Sequence, residues 1–242
     1  YNLMWGRPLR AILALFNNKK LSFKFDHLET TDNIILEQDL SSKSKKIKNF
    51  KDYNVFLKSN KIIIDHNERE KIILKRISSI SKSRNYKEIL NSQLLEEVVN
   101  IVEEPNVLLI SFDKKYLKIP QEIIISTLEK NQRYFPVFDT KEVLTNHFFV
   151  VANKKDEKKL ITEGNKRVVE ARLSDAKFFW DKDRSRNLIK QIANLKSITF
   201  YEKLGTIYDK TQRIRHLAGL ISDDFNINKE KIQIAASISK SD

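Results

Sequence analysis

The stretch EARLSDAKFFWDKDRSRN (170–187) sets Phe178, Phe179 and Trp180 side by side among Arg172, Lys177, Lys182, Arg184 and Arg186, with Arg167 just upstream. Guanidinium and ammonium groups at this density suit a phosphate backbone, which they grip by charge-assisted hydrogen bonds without reading sequence. The three aromatics admit two readings. They are a stacking platform for nucleobases, which needs exposed rings, or they are the apolar seam of a helix. The spacing favours the seam, because Val169, Leu173, Ala176 and Trp180 recur at i, i+4, i+7 and i+11, and Phe179 falls beside Val168 on the neighbouring edge. The rings are therefore expected to be core. The cations around them are the candidate polyanion contacts, unless they are solvated or paired locally, as Arg172 would be with Asp175 at i+3.

Other chemistry is missing. Gly6, Gly164, Gly205 and Gly219 are the four glycines, and no two are neighbours, so a glycine-rich phosphate cradle has nothing to be built from. His27, His66, His147 and His216 are isolated, whereas metal sites need clustered ligands. Glu96-Glu97 and Glu103-Glu104 are adjacent pairs, which point apart on a helix and make poor acid/base partners. No serine sits in a nucleophile-elbow setting, and nothing resembles a hydrolytic editing site. No catalytic residue, metal site or cofactor is therefore expected in these residues.

The net charge of +13 is uneven along the chain. Residues 1–83 carry 17 basic and 9 acidic side chains, 84–150 carry 8 and 10, 151–216 carry 17 and 9, and 217–242 carry 3 and 4. Two basic zones flanking a near-neutral middle suit a polyanionic partner, since neutralised phosphates release counterions. Lysine outnumbers arginine 33 to 12, so part of the excess reflects composition bias. Cysteine is absent, in keeping with a reducing, cytoplasmic setting. Apolar runs such as Ile123-Ile124-Ile125 fall far short of the roughly 20 residues of a membrane span. The chain opens on Tyr1 without a signal-type segment, and it is expected to be a segment of a longer protein.

The elements that must position these residues read as α+β. Residues 8–26 suggest two strands, PLRAILALF and LSFKF, joined by Asn17-Asn18-Lys19-Lys20; SSKSKKIKNFK (41–51) suggests a solvated basic loop. DYNVFLKSN reads as a short helix, KIIID as a buried strand, and 67–83 as a helix with Ile72, Ile73, Ile77, Ile80 and the stem of Arg76 on one side. A helix from Ser92 to about Glu104, a strand VLLISF, a helix opened by Pro120 and a hairpin of RYFPVF with NHFFVVAN follow. From Lys158 the period is helical, with a break near Asp183 and a second amphipathic helix after Gly205. The expected organisation is an α+β body over 1–197, made of a basic part (1–83), a near-neutral part (84–150) and a helical basic part (151–197), then an all-helical region over 198–242.

EEPNVLLISF (103–112), IPQEIIISTLEKNQRYFPVFD (119–139), FFVVAN (148–153), GNKRVVEARLSDAKFFWDKD (164–183) and EKLGTIYDKTQRIRHLA (202–218) closely resemble the β subunit of the bacterial two-subunit glycyl-tRNA synthetase. Weaker similarity extends from MWG (4–6) and RPLRAILALF (7–16) to SKSD (239–242). The resemblance implies a hetero-oligomer of α2β2 type, in which a separate α subunit carries the class II core that forms the adenylate from glycine and ATP with Mg. The β subunit would bind tRNA(Gly), with an anticodon-binding domain beyond Asp242. Under this resemblance Arg167, Arg172, Lys177, Lys182, Arg184 and Arg186 become candidate tRNA contacts. The near-neutral 84–150 part becomes core or subunit interface. The resemblance also implies an HD-like helical domain entered near residue 198. The position of its first histidine falls at or near Lys210 and that of its His-Asp pair at Ser241-Asp242, so the site is expected to be degenerate and metal-free. Two departures stand out. Thr30-Thr31-Asp32-Asn33-Ile34-Ile35-Leu36 replaces a Gly-His-Arg-Phe element, and Ile110 stands where glycine is common. The alternative from another class is an RNA-binding or scaffold protein with no part in aminoacylation.

Overall fold

The computed structural model describes residues 9–38 and 41–241. The MWG match at 4–6 and Asp242 of the expected His-Asp position lie outside the described residues. The fold is α+β, as the patterning predicts, and divides into two compact units. One comprises residues up to Ser111 with Leu128–Lys166, and the other Phe112–Thr127 with Arg167 onward.

In the first unit an antiparallel sheet sets its strands in the order Tyr86–Lys87, Phe135–Asp139, Leu144–Ala152, Asn106–Ser111. The predicted hairpin is its centre, with Phe135 opposite Phe149 and Pro136 opposite Phe148. Its turn uses Glu142 at φ 62 where glycine would be easier, and Asp139 accepts from Lys141 and Val143 to hold it. Helices α1 (Phe50–Ser59), α2 (His66–Arg84) and α3 (Ser92–Ile101) also belong to this unit. The side chain of Asn91, rather than Ser92, caps α3. Ile73 and Ile77 of α2 and Leu94, Leu95, Val98 and Val99 of α3 bury against Phe135, Val137 and Phe149 of the sheet. Arg69 ties the carbonyls of Ile63, Ile64 and Val99 together at 2.7, 2.7 and 2.9 Å. Those carbonyls therefore have partners although residues 61–65 form no strand. KIIID is thus irregular chain rather than the expected buried strand.

The N-terminal part departs from the expectation in two further ways. Leu15–Phe16 pairs with Lys19–Lys20 around Asn17 and Asn18, both left-handed at φ 46 and 61, so only two of the four expected turn residues turn. Ser41–Lys46 is not a loop, because it pairs antiparallel with Asn33–Gln38 across the whole of both strands. Ser42, Lys43, Ser44 and Lys46 are exposed while the backbone is satisfied by the ladder, so a polar composition concealed a strand. A small second core of Ile47, Phe56 and Leu57 lies beside it.

The second unit holds α4 (Gln121–Ser126), α5 (Leu160–Ser185) from Arg167 on, the short α6 (Leu188–Gln191), α7 (Ile207–Asp224) and α8 (Lys229–Ile238). A 3-10 stretch, Ile192–Ser197, and a strand pair, Thr199–Tyr201 with Gly205–Thr206, precede α7. α7 begins after Gly205 as predicted, and Gly205 is required there. Its φ is +79, and a Cβ would lie 2.4 Å from the Asp209 carboxylate. Along α7, Thr211, Gly219 and Ser222 are the buried residues, whereas the larger Leu217 and Ile221 are 56% and 55% exposed. Small residues allow the close approach, since a Cβ on Gly219 would meet Gln233 of α8 at 2.6 Å.

The α7 cap has a pH signature. The Asp209 carboxylate accepts from the backbone N–H and the hydroxyl of Thr206, both at 2.8 Å, and the backbone N–H of Asp209 donates to the Thr206 Oγ1 at 3.2 Å. The Thr206 hydrogen bonds hold its pKa below the usual carboxylate value, against a smaller opposing effect of desolvation. A depressed folded pKa contributes stability that is present above the unfolded value, about pH 4, and is lost as pH falls through the lower folded value. Between pH 5 and 3 the wild type should therefore lose more stability than Asp209→Asn, compared by thermal unfolding. Parallel curves would contradict the cap's contribution.

Candidate nucleic-acid interface

The six candidate cations all lie in the second unit, five on α5 and Arg186 one residue past its end. α5 is anchored at its start by Asp156, whose carboxylate accepts the N–H groups of Ile161 and Thr162 at 2.9 and 2.8 Å. From Arg167 on, Val169 and Leu173 are fully buried, as their spacing predicts. Glu170 accepts the backbone N–H of Asp113 at 3.1 Å, and so joins this helix to the 112–127 segment of the same unit.

The buried stripe does not carry the aromatics with it. Trp180 is half-buried, while Phe178 is 60% and Phe179 57% exposed. Val168, expected beside Phe179, is exposed with it. The core assignment thus holds for Val169 and Leu173 and fails for the two phenyl rings.

The cations divide by engagement. Among the described residues, Arg167, Arg172 and Arg186 are exposed and make no side-chain ion pair or hydrogen bond, so the alternative of a local Arg172–Asp175 pair is not realised. Lys177 pairs with Asp181 one turn on. Lys182 lies 5.6 Å from the centroid of Phe178, and Arg184 5.8 Å from that of Trp180. Arg186 also borders a cleft of about 290 Å³ with Asp183, Asn194 and Ser241. The acids Asp175, Asp181 and Asp183 are interleaved with these cations, so free arginines rather than bulk charge define the surface.

Of the other cation–ring pairs in this unit, all missed by sequence reasoning, two involve α7. Lys210 sits 3.9 Å from the Phe200 ring centroid and Lys196 5.0 Å from that of Tyr208. Neither pair has a fixed helical spacing, and each depends on the strand pair before α7, so no local signal marked them.

Among the described residues no three of His, Asp and Glu come together. His147 meets the Tyr86 hydroxyl at 3.3 Å, and His27 meets the adjacent Asp26 at the same distance. In the first unit a cleft of about 790 Å³ is lined by Lys43, Lys61, Glu103, Glu104, Tyr134 and Asn165 among others, a mixture of both charge signs. Burial raises the Tyr134 pKa, and its hydroxyl donates to Asn165. No described helix is long and apolar enough to cross a membrane.

Comparison with known proteins places this arrangement. The family described as "Glycyl-tRNA synthetase beta subunit" matches residues 1–242. The chain belongs to the glycyl-tRNA synthetase β-subunit family. Curated relatives carry the name glycine–tRNA ligase beta subunit. That of Thermodesulfovibrio yellowstonii is 36% identical over 99% of this chain and 37% of its own length. Those of Clostridioides difficile and Rickettsia bellii are 36% and 35% identical over 100% of this chain, and over 35% and 36% of theirs. This member of the β-subunit family therefore spans little more than a third of the length of these relatives.

Proposed function

We propose that this chain is part of the β subunit of a glycine–tRNA ligase and supports ATP-dependent attachment of glycine to tRNA. The family match over 1–242 carries this reading. In it the chain works in the cytoplasm within a hetero-oligomer, its partner being an α subunit that performs the adenylate chemistry. Among the described residues no three potential metal ligands converge, which does not fit a Mg site, and the glycines are far apart in sequence, which gives ATP no glycine-rich phosphate cradle. No step of the reaction is assigned to either group on these residues.

The 151–216 zone is the tRNA-facing part of this proposal, with Arg167, Arg172, Lys177, Lys182, Arg184 and Arg186 as its contacts. Exposed, unengaged arginines support it, because phosphate contacts need donors that are not already spent on internal carboxylates. Such contacts follow the shape and backbone of A-form RNA rather than its bases. The 84–150 part serves as core or subunit interface. An HD-like domain with an inactive site begins near residue 198. The Lys210 ammonium lies over the Phe200 ring, and the Ser241 hydroxyl donates to the Ile238 carbonyl at 2.8 Å, so neither is offered to a metal.

Reconstitution tests the reading. Full-length chain and candidate α subunit, purified apart, should charge tRNA(Gly) only when mixed, and the full-length chain should contain no stoichiometric metal. Failure to find or require a partner would favour an RNA-binding protein outside aminoacylation. A stoichiometric ion would contradict the inactive HD-like site.

A further inference from the structure

We propose that Phe178 and Phe179 form a stacking platform for unpaired nucleobases of the bound RNA. The inference rests on the tRNA-facing reading of 151–216 and adds a second mode of contact to it. Two phenyl rings side by side on a helix are usually there to be buried, yet in this chain both remain more than half exposed. Their surroundings indicate what covers them.

At 100° per residue, Arg167, Ala171, Ser174, Phe178 and Lys182 fall along one side of α5, away from buried Val169 and Leu173. Ala171 and Ser174 are small, so a strand can approach the rings along this side. Arg167 stands about 17 Å along the axis before Phe178, and Lys182 one turn after it. A chain of phosphates has cations to meet on either side of the ring. Lys182 lies over one face of the Phe178 ring, 5.6 Å from its centroid, so a base stacks on the ring's other face with a cation close by for its phosphate.

The two rings meet edge to face, 5.5 Å between centroids and 75° between planes. Their planes therefore face different directions, and a base stacked on one can meet the edge of the other. Asp175, Lys177, Asp181 and Lys182 lie within a turn of the rings. A protein-binding core would be depleted of such residues, whereas a π-face between charges suits a base carrying its own phosphate. Duplex RNA keeps its bases stacked on one another, so the expected occupant is an unpaired segment such as a loop or a single-stranded end.

The test uses the full-length chain with its partner subunit and two probes, a tRNA(Gly) transcript and a blunt RNA duplex of similar size. Phe178→Ala/Phe179→Ala should weaken tRNA binding about tenfold or more, with duplex affinity and melting temperature unchanged. Phe178→Tyr/Phe179→Tyr should restore binding. Arg167→Gln/Arg172→Gln/Arg186→Gln is the reference for the underlying reading. If the arginine variant loses tRNA affinity and the alanine pair does not, the platform fails and the tRNA-facing zone stands. If neither variant changes binding, the zone and the platform fail together. Loss of the partner subunit by the alanine pair, with RNA affinity of the assembled complex retained, would make the rings a protein contact and overturn the proposal.

Discussion

Arg172→Glu/Arg184→Glu in the full-length chain with its partner subunit should raise KM for tRNA by about ten- to hundredfold near 100 mM salt, with kcat little changed. Among the described residues, Arg172 is exposed without a side-chain ion pair or hydrogen bond, and Arg184 lies over the Trp180 ring without an ion pair. Reversing them therefore breaks no ion pair of the fold, and the loss falls on whatever anion they meet. Uniform loss of ground-state and transition-state binding appears in KM rather than kcat. Glutamine at the same positions should give a smaller loss in the same direction. An unchanged KM in a folded, assembled double mutant would remove 151–216 from the tRNA interface.

Phe135→Ala should cost about 3–5 kcal/mol of stability, the usual penalty for emptying a buried aromatic site. Phe135 is fully buried on a central strand, opposite Phe149, and shares its core with Ile73, Ile77 and Val98. Helices α2 and α3 meet the sheet there, so removing the ring leaves a cavity that both would have to collapse into. Against a typical domain stability of about 5–15 kcal/mol, that loss is large. Urea unfolding of the full-length chain should show the first transition moved to much lower concentration. A change below about 1 kcal/mol would mean that the core re-closes around the gap. The contrast with Phe178→Ala is informative, because the same truncation on an exposed ring should leave unfolding nearly unaltered.

How much was legible depended on the kind of signal. α3, α5 and α7 were readable because their apolar residues recur at a helical period and because Ser92, the break near Asp183 and Gly205 marked their bounds, although it is Asn91 that caps α3. The 135–152 hairpin was readable from two apolar runs even without a glycine turn. Ser41–Lys46 was not, since a strand whose side chains stay in water shows only polar residues and its pairing with Asn33–Gln38 is not a local property. KIIID misled in the opposite sense. Ile62 and Ile63 are partly buried, but the carbonyls of Ile63 and Ile64 go to Arg69 rather than to a neighbouring strand.

The candidate site shows the same limit. Periodicity correctly placed Val169 and Leu173 under cover, but it says nothing of how far the covering layer extends along a helix. Trp180 is only half-covered, and Phe178 and Phe179 are more than half exposed, which turned an expected seam into an exposed surface. On α7 Gly219 and Ser222 took the packed positions, while Leu217 and Ile221 stayed outside. Close helix approach selects small side chains, a preference that a hydrophobicity pattern reads as a gap.

The most direct test of the central claim is the salt dependence of tRNA(Gly) binding by the full-length chain with its partner, measured from about 50 to 200 mM salt for wild type and Arg172→Glu/Arg184→Glu. Contact through this zone predicts a steep decline of affinity with salt in the wild type and a log–log slope shallower by about 2 in the variant. Equal slopes for the two proteins would place the phosphate contacts elsewhere and contradict the account.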